Sequence, residues 1–272
     1  MSAIRPLRLR VEARRQAGRS RTRWAFGIVL GLPLLVVAAY AIGDEADPSG
    51  ARFSDLATLG SANFAVFMLF VSAELLLLIL AALFIGDAMP SEASWGSLRY
   101  LLTAPVPRAR LLTAKLVVGL ATTVLALVVL LGWTLLIGGL AYGWSPLTVP
   151  LGGVLGWGEL APRLALAAAY VLVSLLPFAA VAFWVGVRVD APLAAVGAAV
   201  LTVIVSSILD GLDALGDWRV ALPTHYGRAW TGLLTGDLDR AELLHGTLWA
   251  LLYATAVVLL AYRSFARRDV LS

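Results

Sequence analysis

Few residues in this chain could do chemistry, and they lie far apart. Glu74 stands alone inside an apolar run, Glu92 and Arg99 lie in a polar stretch between two such runs, and Asp210, Asp213 and Asp217 precede His225 and Arg228. With no cysteine and two histidines, the chain has no thiol nucleophile, no disulfide and little material for a metal cluster. The three aspartates are spaced as if for calcium but lack the carbonyl-rich loop such sites use, so they read more simply as a solvated helix end. Ser72, Ser174, Ser206 and Ser207 have no evident histidine or lysine partner, which weighs against an intramembrane enzyme. No Gly-x-x-x-x-Gly-Lys-Ser/Thr loop is present, so the chain is not expected to bind or hydrolyse ATP by itself.

Two groups stay open at this level. An intramembrane carboxylate costs about 2.5–3.5 kcal/mol on insertion scales, so Glu74 should face protein, a partner or water. It is either a translocation-pathway or proton-linked residue, or a protonated structural one. His225, Tyr226, Arg228 and Trp230 form either a ligand patch or an aromatic belt at the membrane surface, with the belt the default.

The elements that must position these residues are membrane spans. Of 272 residues, 60% are hydrophobic and 14% charged, and the mean hydropathy is +0.88, whereas an ordinary soluble domain carries about 25% charged residues. The apolar runs predict an all-α integral membrane protein with six spans, at about 24–43, 63–86, 116–142, 164–187, 192–209 and 247–263, forming one transmembrane domain over 24–263. A kink is expected at Pro177. Secondary transporters typically show inverted repeats and broken helices with paired charges, and the sequence displays neither. Ala39-Tyr40-Ala41 imitates a leader cleavage site, but the long basic segment before it and the five further spans favour an anchored first span.

Charge sets the orientation. Segments 1–23, 87–115, 188–191 and 263–272 hold sixteen of the twenty-one basic residues and five of the acidic ones, which is the positive-inside pattern. The net charge of +4 therefore reflects topology and attraction to membrane lipids, with no nucleic acid as partner. Both termini are expected in the cytoplasm. The basic segment 1–23 is either an interfacial elbow helix or an unstructured anchor, and 264–272 is a cytoplasmic tail.

The polar stretch from Asp87 to Lys115 organises the rest. Ser91 and Glu92 form a helix start, and Trp95, Leu98 and Leu102 recur at helical spacing. Pro105 ends this short amphipathic helix, which is too short and too polar to span. Glu92, Gly96-Ser97-Leu98-Arg99, Leu101-Leu102, Pro105-Val106-Pro107-Arg108 and Lys115 together resemble the coupling element of type-2 ABC transporter permeases, with Pro107 where that family has a small hydroxyl residue. The exit Phe265-Ala266-Arg267-Arg268-Asp269-Val270 and the outer segment before the last span are similar to the same family.

The resemblance implies a bacterial cytoplasmic-membrane permease subunit of an ATP-driven exporter, not itself an enzyme, whose substrate is an amphipathic or hydrophobic drug, antibiotic, lipid or peptide. It implies a separate ABC ATPase in two copies, carrying ATP and Mg, with no cofactor on this chain. It also implies a second permease, as homodimer or sister subunit. Glu92 and Arg99 would then contact the ATPase groove beside Gly96, while Trp95, Leu98 and Leu102 pack into it or against the bundle. Ion export or metal-site maturation within the same family, a secondary transporter, and an intramembrane enzyme are the alternatives.

Overall fold

In the computed structural model the described residues are 9–42, 56–91, 108–149, 153–235 and 238–267. They form a predominantly helical bundle. Helix α1 (Leu9–Gly18) leads into α2 (Ser20–Ile42), followed by α3 (Ser61–Glu74), α4 (Leu76–Gly86) and α5 (Arg108–Tyr142). After a short hairpin come α6 (Trp157–Arg188), α7 (Pro192–Asp210), a connecting segment of short helical turns (expected from the charge pattern to be the outer one) with α8 (Gly232–Thr235), and α9 (Arg240–Ala266). Five of these helices are long and apolar enough to cross a membrane, and α3 with α4 would make a sixth span if the bent pair counts as one. The protein is thus built as a multi-pass membrane protein.

The apolar runs form helices because a backbone without water must satisfy its own hydrogen bonds. Their ends run past the hydropathic cores: α5 starts at Arg108 and α9 at Arg240, each with a polar first turn. Asp239 caps α9, accepting from the amides of Ala241 and Glu242. Helix α6 continues through both Pro162 and Pro177, and α7 starts on Pro192, where a missing N–H costs nothing.

The interruption falls elsewhere. Helices α3 and α4 meet at 54°, with Leu75 at φ −121°, ψ −56° between them. A broken span with a charged residue at its break is a feature the sequence does not display. The connection between α5 and α6 also contains β structure, contrary to a strictly all-α reading: Leu147–Thr148 (β1) pairs antiparallel with Val154–Leu155 (β2). Asn63 secures this hairpin, donating to the Thr148 carbonyl at 2.9 Å and accepting from its amide at 3.0 Å.

Close helix crossings surround the end of α4. A Cβ on Gly186 of α6 would fall on the Gly86 carbonyl oxygen, and one on Gly119 of α5 would approach Ile85 and the Phe84 carbonyl. A Cβ on Gly86 itself would meet Ala182 and Ala195 at 2.9 and 3.0 Å. Small residues let these backbones approach, which is how helices associate where lipid removes the hydrophobic drive.

Candidate functional site

The polar residues gather in two places. At one end of the bundle, the N-terminal segment forms a helix over its described part. Lys115 Nζ donates to Glu12 Oε1 at 2.8 Å, with both side chains buried. Gln16 Nε2 donates to the Phe84 carbonyl at 3.4 Å, and Arg21 donates to Asp87 Oδ1 at 2.7 Å. Burial pushes the Asp87 carboxyl above its ordinary range, against the opposing pull of Arg21, Arg19 and Lys115. The two residues that bound the polar stretch, Asp87 and Lys115, are therefore both held by the chain's N-terminal helices. Glu92, Trp95, Gly96, Leu98, Arg99 and Leu102 lie outside the described residues.

Farther along the bundle, the break after Glu74 faces a cavity of about 380 Å³. Glu74 and Leu78 line one wall, Ser174 and Phe178 of α6 a second, Ser207 and Asp210 of α7 a third, and His225 and Arg228 of the outer segment close it. Arg228 Nε donates to Glu74 Oε1, and the guanidinium sits 5.4 Å from the centre of the Phe70 ring. His225 Nδ1 and Asp210 Oδ1 are 2.6 Å apart. Four residues that no local spacing links thus form two acid–base pairs in one chamber.

The outer segment is tied down along its length. Tyr170 Oη donates to the Tyr226 carbonyl at 2.9 Å, Tyr253 Oη to the Ala221 carbonyl at 2.7 Å, and Ser206 and Thr224 share a hydrogen bond at 2.7 Å. Trp230 is buried against Phe70, with ring centroids 6.3 Å apart, so it belongs to the protein core and not to a surface belt. Asp213 remains exposed and pairs with Arg219 at 3.1 Å. Among the described residues, no group of three or more histidine, cysteine, aspartate or glutamate side chains could hold a metal ion.

Chemically, the chamber can hold a ligand bearing polar or charged groups against an aromatic and aliphatic wall. Ser174 Oγ donates to the Val171 carbonyl at 2.8 Å, and no hydrogen bond joins His225 to a serine among the described residues.

Fold and site together define a multi-pass helical membrane protein with a polar chamber beside a broken helix. The chain belongs to DUF2705, a protein family of unknown function whose sequence profile matches residues 34–271. No curated protein matches the chain.

Proposed function

We propose that this chain is the membrane-spanning subunit of an ATP-driven exporter of the type-2 ABC kind, energised by a separate ATPase and completed by a second permease. The observation that carries this reading is the anchoring of both ends of the polar stretch: Asp87 to Arg21, and Lys115 to Glu12. A push on the segment between them passes directly into α4 and α5. Through the Gly86–Gly186 crossing it passes on to α6. The far end of the broken helix carries Glu74 into the chamber with Asp210, His225 and Arg228, so the chamber is the candidate translocation path for a largely apolar compound with a polar group.

The test is a search for a soluble P-loop ATPase encoded near this chain, followed by reconstitution of the two together. Arg99→Glu, Glu92→Arg and Gly96→Leu should leave expression and membrane insertion intact but abolish substrate-stimulated ATP hydrolysis. Misplacing a charge in a desolvated contact costs about 2–5 kcal/mol. Full coupled transport in all three variants overturns the assignment.

A second reading, an ion-coupled secondary transporter, draws on the break at Leu75 and the ion pair beside it. The two readings separate on energy source: transport by the purified chain alone, abolished by an ionophore, favours the second.

A further inference from the structure

At the end of the bundle that carries Arg188, helices α6 and α9 border an open cleft of about 480 Å³. Three guanidinium groups line it, from Arg188, Arg263 and Arg267, together with the Ser264 hydroxyl. No carboxylate is among its described lining residues, and none of the three arginines forms an ion pair with a described residue.

Like charges gathered around one space repel unless an anion offsets them. The C-terminal ends of α6 and α9 favour these cations, but no guanidinium of the three is hydrogen-bonded to a described terminal carbonyl. The Val185 carbonyl of α6 is capped by the Val189 amide, and the Phe265 carbonyl of α9 by the Arg267 amide. Arg188 Nε instead donates to Ser264 Oγ at 3.3 Å. Trp184 Nε1 donates to the same oxygen at 3.3 Å, while the Arg188 guanidinium lies over the Trp184 ring at 4.8 Å. Stacking and hydrogen bonding hold that guanidinium in place, and Ser264, accepting twice, keeps its own proton for a further acceptor.

The other lining residues are apolar. Val187 is buried, and Leu260 lies on α9 about two turns toward the bilayer from Arg267. Trp184 is one turn deeper than Arg188, where an aromatic ring marks the boundary between headgroups and hydrocarbon. The site thus presents cations and a hydroxyl at headgroup level, with aliphatic side chains below.

We infer that this cleft binds the phosphate of an anionic phospholipid, with an acyl chain laid along Leu260. The inference rests on α6 and α9 spanning the membrane and is independent of the exporter reading. Basic pockets between spanning helices recognise anionic headgroups in this way.

The experiment is native mass spectrometry of the full chain released from nanodiscs of equal phosphatidylglycerol and phosphatidylcholine. Arg188→Gln/Arg263→Gln/Arg267→Gln is compared with Arg10→Gln/Arg14→Gln/Arg23→Gln, which removes the same charge from exposed positions on α1 and α2. The wild type should retain phosphatidylglycerol at least tenfold over phosphatidylcholine. The cleft variant should lose that preference about tenfold, and the α1/α2 variant should keep it. Arg263→Gln alone, checked for unchanged thermal stability, covers the case in which the triple variant does not fold, and should weaken retention severalfold.

In a separate arm, millimolar inorganic phosphate is added to lipid-free protein in detergent. Protection by phosphate equal to that by phosphatidylglycerol would assign the site to free phosphate and overturn the lipid. Equal loss in both triple variants would mean surface charge only, and retention of phosphatidylglycerol by a folded cleft variant would also overturn the inference.

Discussion

Glu74 and Arg228 meet across 154 residues of sequence and form an ion pair at the chamber. An exposed surface pair would be worth only about 0–1 kcal/mol. Both side chains are more than half exposed to the chamber, so a double-mutant cycle of Glu74→Leu and Arg228→Leu should give a coupling near the upper end of that range, about 1 kcal/mol, in thermal unfolding. Additive effects would place the pair in bulk water. Asp87 makes a second test. Because burial raises its pKa when folded, the native state binds its proton more readily than the unfolded one, and its contribution to stability falls as pH rises through that interval. Asp87→Asn should therefore gain stability relative to wild type as pH rises above the ordinary carboxylate range, and the opposite trend would mean that Arg21 outweighs burial. The need for a partner at Glu74 was legible in the sequence, since a lone carboxylate in an apolar run demands one. The partner's identity was not, because no local spacing links residues from different spans, and for the same reason His225 and Asp210 read as unrelated.

The spans were legible as elements because hydropathy marks the segment that lies in hydrocarbon. Their full lengths were not, since polar turns extend helices α5, α6 and α9 beyond it. The break at Leu75 left no trace at all: it occurs among good helix formers, while the conspicuous Pro177 lies inside an uninterrupted helix. Of the polar stretch, the brackets Asp87 and Lys115 fall within the described residues, and Glu12, the single acid among eight arginines in the first 23 residues, carried a hint of pairing that charge counting overlooked. The helix contacts can be tested in two places. Glu12→Leu should destabilise the protein by about 3–5 kcal/mol by stranding a buried Lys115, whereas Glu12→Leu with Lys115→Met should recover most of that loss in a thermal-shift assay. Gly186→Ala should cost about 1–3 kcal/mol, because its Cβ lands on the Gly86 backbone, which cannot swing aside like a side chain.

At the scale of the whole molecule, an exporter subunit of the proposed kind must hold the polar stretch on the cytoplasmic side with both termini. Since the chain has no cysteine, single cysteines can be introduced without removing any. A cysteine at position 2 should resist impermeant reagents added to intact cells, and labelling there would invert the topology. The most direct measurement uses the same background. Arg99→Cys, carrying a short bifunctional cross-linker in native membranes, is predicted to join this chain one-to-one to a soluble P-loop ATPase, with the yield changing when ATP and Mg are added. Failure of the Arg99→Cys variant to capture any ATPase in membranes where the chain is folded, together with free reaction of its thiol with aqueous reagents, would contradict the assignment.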